Sequence, residues 1–342
     1  MSAPDSAQTP PPQVQLMQMA MGFTVPFLLR AAALLCLADH LADGPKTAAE
    51  LAVPTGAHAP ALYRLLRTLA SIGIFSEDEA HRFALTALSE PLRSNVPGSV
   101  RTSILSFTGD LFIVPWSSIH YSVQTGQPSF DKHFGAPFFD HISTDPDEAT
   151  WFHDLLIGLN SADAPAVAAA YDFSTSVKIA DIGGATGHML TTILASHPGP
   201  RGILFDLAEN QSGATELLQS RGMVDRVTFI AGSFFDSVPA GCDLYILSHV
   251  IHDWTEEQCL TILANCRRAM SPASRLLIIE QVLPEGDTFH PGKMLDINML
   301  VQTPGQERTE PEYRALLQKA GFILTRVIPT NSPVSIVEAV PA

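Results

Sequence analysis

The sequence predicts an α/β protein: a helical N-terminal half followed by a Rossmann-like domain with a mostly parallel, seven-stranded sheet. Apolar residues recur at helical spacing from residue 14 to about residue 170, and short apolar runs alternate with helical segments from Val177 onwards. Such alternation is typical of a parallel sheet covered on both faces. The last two apolar runs are joined only by the turn "TNSP", which predicts a C-terminal antiparallel hairpin.

Composition limits the class of protein. The 342 residues are 46% hydrophobic and 16% charged, which indicates a globular chain. The formal net charge of -15 disfavours binding to nucleic acid or to an anionic membrane. Four scattered cysteines do not form a disulfide framework, and Cys259 and Cys266 are expected to be buried thiols and not a metal pair. We therefore expect no metal site and a reducing, cytoplasmic setting.

Residues 1–13 are predicted to be a disordered arm. Their sequence, "MSAPDSAQTPPPQ", is rich in proline and has no basic region of the kind that begins a signal peptide. No apolar run is expected to reach transmembrane length, because "ALLCLA" is short and Arg30 interrupts its flank.

The next elements form a winged-helix pattern. Thr47 and Glu50 have the spacing of a capping box, an amphipathic helix follows and ends at a glycine, and "IFSEDEAHRFALT" is typical of a hairpin. One interpretation is DNA binding. The second helix offers only Arg64 and Arg67 in an acidic chain, whereas a recognition helix needs donors aimed at base edges. A structural or dimerisation module is therefore favoured.

The stretch "ADIGGATGHML" is the first candidate for a ligand site. Gly183, Gly184 and Gly187 follow a predicted strand and open a helix, where glycine lets the backbone approach a ligand. A dinucleotide site and a plain tight turn are both compatible with the glycines alone. Asp181 precedes them, and a carboxylate there suits a cationic amine better than a pyrophosphate.

A second acid sharpens the prediction of the ligand. Asp206 ends the next predicted strand, where a carboxylate can accept hydrogen bonds from both ribose hydroxyls. A ligand with a ribose and an amino acid but no phosphate is S-adenosylmethionine. The alternative for Asp206 is an N-cap of the helix that follows.

The stretch "SHVIHDWTEEQC" supplies a candidate base. His252, Asp253 and Trp254 lie between a predicted strand and a helix that Thr255 is expected to cap, at the sheet edge where open α/β proteins bind ligands. A histidine there can act as a general base. His249 is assigned to the strand as a packed residue.

Two glutamates are expected to support that base. Glu280 ends a later strand and Glu307 precedes a later helix. If both reach His252, they orient the ring and stabilise its protonated form. The alternative is that each is a cap or a surface acid.

At this point the chain resembles the plant and bacterial small-molecule O-methyltransferases, the family of caffeate, hydroxyindole and polyketide O-methyltransferases. The resemblance extends over nearly the whole chain. It implies a winged-helix-like dimerisation domain at 14–105 that forms an intertwined homodimer. It further implies a helical linker and substrate lid at 106–170, and an S-adenosylmethionine-binding catalytic domain at 171–342. The motifs that carry it are "LYRLLRTLASIGIF", "TGQPSFDKHFG", "HDWTEEQC", "DINML" and "ERTEPEYRALLQKAGF".

The resemblance also implies site residues. The catalytic residues would be His252 as base, flanked by Glu280 and Glu307. The cofactor would be held by Asp181, Gly183, Gly184, Gly187, Asp206, Leu207, Ser233, Phe234 and Ser248. The acceptor, a small hydroxylated aromatic molecule, would be held by Asp253, Asp296 and Met299. Trp116, His120, Phe138 and Phe139 are weaker candidates for the same pocket.

Most departures from the family pattern fall on the cofactor side, and one falls beside Glu307. Ala185 stands where a third consecutive glycine is usual, Ser233 where aspartate is usual, and Ser248 where lysine is usual; "GGRERT" becomes "PGQERT". Each lost polar contact is expected to weaken cofactor binding by about 1 kcal/mol.

Three functional hypotheses follow. The first is methylation of a phenolic hydroxyl of a secondary metabolite. The second, motivated by the two serines, is a non-methylating enzyme on the same scaffold that catalyses a cyclisation, hydroxylation or isomerisation. The third is a non-catalytic dimeric binding protein or regulator.

Overall fold

The computed structural model describes residues 10–144, 152, 155 and 162–342. Residues 1–9 of the predicted arm lie outside the described residues, as do 145–151, 153–154 and 156–161 of the predicted lid. The first helix begins at Pro12, so the last two residues of the predicted arm are helical. Proline suits this position because the first helical residue has no intrahelical partner for its N–H.

Close contacts divide the chain into two units, 1–113 and 114–342. The sequence places a boundary at 105/106, a few residues earlier. The finer division into arm, dimerisation domain, lid and catalytic domain stays a prediction.

The N-terminal unit contains helices and one small sheet. Strands β1 (Lys46–Thr47), β2 (Phe75–Glu77) and β3 (Arg82–Leu85) form an antiparallel sheet in the order β1-β3-β2. The capping box of Thr47 and Glu50 is present, and the predicted hairpin is β2–β3. The helices are Pro12–Met21, Thr24–Leu34, Leu37–His40, Ala48–Thr55, Ala59–Ser71 and Arg101–Phe107, and Asp110–Trp116 crosses the boundary between the units.

The first two helices expose much apolar surface. The segment Pro12–Leu34 is long and apolar enough to cross a membrane by length and composition, and only 11% of its most apolar window is buried. The expectation that no run reaches that length is therefore wrong, because it judged "ALLCLA" alone and not the two helices together. Length and composition are weak evidence so near an N-terminus, where other kinds of helix pass the same test. The large apolar side chains exposed there are Val14, Leu16, Met17, Met19, Met21, Phe23, Phe27 and Leu34.

The C-terminal unit is built on the predicted seven-stranded sheet. Its strands are β4 (Lys178–Ile182), β5 (Arg201–Asp206), β6 (Val227–Ala231), β7 (Leu244–Ser248), β8 (Arg275–Glu280), β11 (Phe322–Pro329) and β12 (Ser335–Pro341). Their order is β11-β12-β8-β7-β4-β5-β6. Strands β8, β7, β4, β5 and β6 run parallel, and β12 is antiparallel to both β8 and β11. The short strands β9 (Val282–Leu283) and β10 (Arg308–Thr309) pair separately.

Helices alternate with these strands, as the sequence predicts. The helices that follow β4 are His188–Ser196, Gln211–Ser220, Glu256–Ala269, Pro291–Gln302 and Glu310–Lys319, whereas Ile119–Thr125, Ser129–Phe134, Phe138–Ser143 and Asp163–Ala170 precede that strand. Neighbouring side chains of β8 enter different cores: Ile278 lies in one apolar cluster and Ile279 in another. Both faces of the sheet are therefore covered, which explains the continuous apolar runs in the parallel strands.

The sheet brings four polar residues to one edge. Parallel strands end at the same edge, and β4, β5, β7 and β8 carry Asp181, Asp206, Ser248 and Glu280 at or near their carboxyl ends. Ligands of open α/β sheets bind at this edge. Behind it, Cys259 and Cys266 are free and buried, which confirms the prediction of buried thiols.

Candidate active site

The glycine loop after β4 requires glycine for two reasons. Gly183 and Gly187 have φ values of 72° and 91°, in the left-handed region that disfavours a Cβ atom. At Gly184, an added Cβ would lie 2.6 Å from side-chain atoms of Asp181 and Leu204. Because these positions have no side chains, the loop backbone lies close to its neighbours just before the helix His188–Ser196 begins.

Ala185 shows the structural cost of the departure from three consecutive glycines. Its φ is 48°, a conformation that costs free energy for a residue with a side chain. Its N–H donates to Oδ2 of Asp206 at 2.7 Å. The loop is therefore held to the end of β5 although one residue in it is strained.

Asp181 is a buried acid with no close hydrogen-bond partner. The side chain is fully buried, and neither carboxyl oxygen has a hydrogen-bond partner among the described residues. Burial raises the pKa of Asp181 to about 7, and the charge of Asp206 acts in the same direction while the amide of Leu190 opposes it. A donor or a cation that binds beside a buried acid of this kind stabilises its carboxylate.

Asp206 organises the neighbouring turn. Its Oδ1 accepts hydrogen bonds from the N–H of Leu207 at 2.7 Å and from Nδ2 of Asn210 at 2.8 Å. The short 3-10 helix Ala208–Asn210 has Leu207 as its N-cap, with no side-chain cap. Asp206 is therefore not the N-cap of that helix, and its carboxylate retains capacity for further donors.

The other predicted cofactor residues differ in their burial and in the contacts that they make. Phe234 packs so close to Gly183 that an added Cβ would lie 3.3 Å from its ring. The hydroxyl of Ser233 accepts from the N–H of Phe235 at 3.2 Å. Leu207 is exposed, and Ser248 is half-buried at the end of β7.

His252 lies on a short 3-10 helix, Ile251–Asp253, directly after β7. Its Nδ1 is 2.6 Å from Oε1 of Glu307, and both side chains are buried. The carboxylate therefore accepts a hydrogen bond from Nδ1 and leaves Nε2 as the nitrogen available for chemistry. Oδ1 of Asp253 lies 3.6 Å from that Nε2. The structure thus brings together His252 and Glu307 as the sequence predicts.

Glu280 supports the base in a different way from the one expected. Its Oε1 accepts from the backbone N–H groups of Ile251 at 2.6 Å and His252 at 3.1 Å, and its Oε2 accepts from the hydroxyl of Tyr313. The expectation that Glu280 orients the ring of His252 is therefore wrong. Its side chain holds the backbone that carries the ring, because β8 ends beside that turn.

Buried charges dominate the electrostatics of the base. Burial lowers the pKa of His252, but the charge of Asp253, the hydrogen bond and charge of Glu307, and the charge of Glu280 outweigh it and raise that pKa to about 10. Burial also raises the pKa of Asp253 to about 6, although the charge of His252 opposes this. These acids therefore favour the protonated form of His252 over the neutral imidazole.

Two predicted acceptor residues on the helix Pro291–Gln302 have contacts of their own. Oδ1 of Asp296 accepts from the N–H of Glu307 at 2.9 Å, so this acid positions the partner of the base. Met299 is buried, and its sulfur lies 3.8 Å from the hydroxyl of Thr303. Nε1 of Trp116 donates to Oδ1 of Asn298 at 3.1 Å.

The aromatic candidates divide into two kinds. Phe139 stacks on Trp254 with ring centroids 5.7 Å apart, so it lies beside the turn that carries the base. Phe138 is buried against Phe139. His120 has an exposed side chain that makes no hydrogen bond or ring contact within the described part of the chain.

Sequence reasoning misplaced His249. The strand β7 ends at Ser248, and His249 follows it with φ of 53°. Its Nε2 lies 3.0 Å from Oδ2 of Asp163, and its ring centroid is 5.5 Å from that of His252. No sequence signal links two residues so far apart in the chain, but a histidine three residues before the candidate base was visible.

The sequence indicates no special role for Gly305, which is only one residue of the altered "PGQERT" motif. A Cβ atom there would lie 1.8 Å from the carbonyl oxygen of His252 and 2.6 Å from the carbonyl carbon of Asp253. No side chain fits at this position while the turn that carries the base keeps its place. Glycine is therefore needed here for close approach and not for its φ.

Comparison with known proteins gives two domain families. Residues 116–323 match an O-methyltransferase domain, and residues 17–95 match an O-methyltransferase dimerisation domain. Together the two matches span most of the chain in the order that the resemblance implied.

Individual relatives cover nearly the whole chain. A phenazine O-methyltransferase of Lysobacter antibioticus is 44% identical over 95% of both chains. The crystal structure of an O-methyltransferase from neocarzinostatin biosynthesis, in complex with S-adenosylmethionine and 2-hydroxy-5-methyl naphthoic acid, has a TM-score of 0.83 at 33% identity, covering 93% of this chain and 96% of that one. An aclacinomycin 10-hydroxylase of Streptomyces purpurascens is 35% identical over 87% of this chain and 81% of its own.

Proposed function

The chain belongs to the S-adenosylmethionine-dependent O-methyltransferases, and we propose that it methylates an aromatic hydroxyl of a small natural product with His252 as the general base. It is a homodimeric enzyme, since residues 17–95 match the dimerisation domain of that family. The single observation that supports the base best is the buried 2.6 Å contact between His252 and Glu307 at the carboxyl edge of the sheet.

The residues of the glycine loop fit the cofactor. The partnerless carboxylate of Asp181 suits a cationic amine, Asp206 has unused acceptor capacity for ribose hydroxyls, and Gly183, Gly184 and Gly187 keep the backbone open. Leu207, Ser233, Phe234 and Ser248 complete the proposed cofactor residues. S-adenosylmethionine supplies an electrophilic methyl group when bound.

In this proposal His252 removes the proton from the acceptor hydroxyl. An unperturbed phenol has a pKa of about 10, and the pKa of His252 is also raised to about 10. Only the neutral imidazole can accept that proton at Nε2, so the reaction uses the deprotonated fraction of His252. Glu307 fixes the ring and stabilises the cation that forms, while Glu280 and Asp296 hold the backbone of the two partners.

The acceptor pocket in this proposal uses Asp253, Met299, Trp116 and Phe139. Asp253 lies beside the free nitrogen of His252, and Phe139 stacks on the adjacent Trp254. His120 has the weakest support of the predicted pocket residues because it is exposed. A cytoplasmic location is part of the proposal, supported by four free cysteines.

His252→Gln tests the proposal. We expect turnover of a panel of hydroxylated aromatics, followed with methyl-labelled cofactor, to fall at least about 100-fold, because general base catalysis contributes about that much. Cofactor affinity, measured by calorimetry, should stay unchanged. His197→Gln, at the end of the helix His188–Ser196, is the matched control. Unchanged turnover in His252→Gln would remove it from the base role.

A second candidate function is a non-methylating oxidation, favoured by the similarity to an aclacinomycin 10-hydroxylase. It is less supported, because the phenazine O-methyltransferase is more similar and the matched domain family is named for methyl transfer. Mass spectrometry of the product separates the two. A methylated product with loss of label from the cofactor supports methylation, and an oxygenated product with the label retained supports oxidation.

A further inference from the structure

A second histidine–carboxylate pair lies beside the one that serves the base. Nε2 of His249 is 3.0 Å from Oδ2 of Asp163, and the two imidazole centroids are 5.5 Å apart with their planes at 49°. His249 comes from the turn after β7, whereas Asp163 begins the helix Asp163–Ala170. The proposed proton transfer uses neither residue.

The backbone of His249 is held in an unfavourable conformation. Its φ of 53° lies in the left-handed region, where a residue with a Cβ atom is less stable than glycine. Strained residues of this kind cluster at active sites and ligand contacts. The strain at His249 therefore supports a functional role for its side chain.

The partners of His249 leave one nitrogen free. Asp163 lies in the first turn of its helix, where the helix dipole favours a carboxylate anion. Oδ2 of Asp163 accepts a hydrogen bond from Nε2 of His249. Nδ1 has no hydrogen-bond partner among the described residues, and 20% of the side chain is exposed.

The two pairs have the same arrangement. In each, a buried carboxylate occupies one ring nitrogen, Glu307 at His252 and Asp163 at His249. The other nitrogen makes no hydrogen bond within the described residues, although Oδ1 of Asp253 lies 3.6 Å from Nε2 of His252. A separation of 5.5 Å between the rings is within the span of one aromatic molecule. Two adjacent polar groups fixed by rigid partners are the usual means of selecting a ligand with two matching polar groups.

We propose that His249 is a specificity-determining residue whose Nδ1 hydrogen-bonds a second oxygen substituent of the aromatic acceptor, next to the hydroxyl that faces His252. The acceptor class is therefore an aromatic with two neighbouring oxygens. This inference rests on the proposed function for the identity of the reacting hydroxyl. It assigns Asp163 as the residue that positions the His249 ring.

Binding of two matched probes tests the proposal. The probes are 2,3-dihydroxynaphthalene and 2-naphthol, which differ by one neighbouring hydroxyl, and affinity is measured by calorimetry on the full-length dimer with S-adenosylhomocysteine present. We expect wild type to bind the dihydroxy probe about tenfold more tightly, as one additional hydrogen bond allows. His249→Asn should remove that preference and leave the affinity for 2-naphthol unchanged.

Asparagine is chosen because it tolerates the left-handed region. Asp163→Asn should reduce the preference in the same direction. His81→Asn is the matched control, because His81 also has a positive φ, 58°, and pairs with a carboxylate, Glu77, in the N-terminal hairpin. It should keep the wild-type preference.

The outcomes separate this inference from the proposed function. If His249→Asn reduces the affinity for both probes equally while the melting temperature stays unchanged, the pair of His249 and Asp163 is purely structural and the proposal is overturned. A wild type that binds the probes equally, or binds neither, would overturn it as well. A preference that depends on His249, without methyl transfer to any hydroxyl, would keep the inference and reject the proposed function.

Discussion

The two halves of the candidate site differ in how far the chain's own residues satisfy each other's polar groups. On the base side, His252 contacts Glu307, Glu280 holds the backbone of His252, and Asp296 holds that of Glu307. On the cofactor side, Asp181 is buried without a partner and Ala185 is strained.

This difference indicates that folding alone orients the base side, whereas the cofactor side is completed only when a ligand binds. The base side is oriented by folding, so it needs no rearrangement when an acceptor arrives, and such preorganisation is what positions a reacting group. The cofactor side contains an acid that gains a partner only when a cation or a donor binds. Substitutions on the base side should therefore reduce rate, and those on the cofactor side should trade stability against affinity.

The largest expected effect comes from Gly305→Ala, which breaks the base side without touching a polar group. The new Cβ would lie 1.8 Å from the carbonyl oxygen of His252, so the turn must move. Misplacement of a catalytic group by about 1 Å costs on the order of 100-fold in rate. We expect kcat to fall by about that factor and cofactor affinity to stay near wild type.

Gly199→Ala is the matched control for this substitution. Gly199 has an ordinary φ, and an added Cβ meets nothing within 4 Å. Equal activity of Gly305→Ala and Gly199→Ala would show that the close approach is not needed for catalysis.

Glu307→Gln has the next largest expected effect and sharpens the comparison through pH. Glu307 is one of the groups that raise the pKa of His252 to about 10, so wild-type kcat/KM should fall as the pH drops below that value and the base becomes protonated. Glutamine removes the charge, and the acidic limb of the pH profile should move to lower pH. The maximum rate should also fall roughly 10- to 100-fold, because the cation is less stabilised.

Glu310→Gln is the control, since Glu310 is an exposed acid paired with Arg314. Asp253, Glu280 and His249 also face the base or its partners, and they stay unchanged in both variants. An acidic limb that does not move in Glu307→Gln would contradict the assignment of Glu307.

Asp181→Asn has the smallest expected effect on activity and tests the cofactor side. The pKa of Asp181 is raised to about 7 from about 3.9 in an unfolded chain. The stability due to this acid is therefore complete below pH 4 and lost as the pH rises through 7. Asparagine should raise the free energy of unfolding at pH 8 by roughly 1–4 kcal/mol, which raises the melting temperature, and should leave both unchanged at pH 4.

The same variant should bind S-adenosylhomocysteine about tenfold more weakly, because its amine loses a carboxylate. Asp225→Asn, at an exposed acid, is the control for both measurements. Stabilisation without loss of affinity would exclude Asp181 from the cofactor site.

Most of the fold was predictable from the sequence because apolar runs determine which segments are buried strands. The runs that became β4, β5, β7 and β8 are continuous, and the sheet buries them on both faces. The limits of the helical region were harder to predict. Pro12 begins a helix inside the predicted arm, since proline is compatible with the first helical turn as well as with an extended chain.

The candidate site was predictable where motifs carry it and not where geometry does. The motif around His252 and the position of Glu307 led to a contact that the structure contains. The role of Glu280 was misjudged because a sequence does not tell whether an acid meets a ring or a backbone amide. His249 and Asp163 depend on a positive φ and on helix packing, neither of which leaves a local sequence pattern.

The exposed apolar surface of Pro12–Leu34 has a consequence for how the stability of this enzyme is expressed. Apolar side chains of that size, left in water on a single chain, favour association. Because the folded state is a homodimer, its population follows mass action. A free energy of unfolding for this enzyme therefore has meaning only together with the molar concentration of subunits.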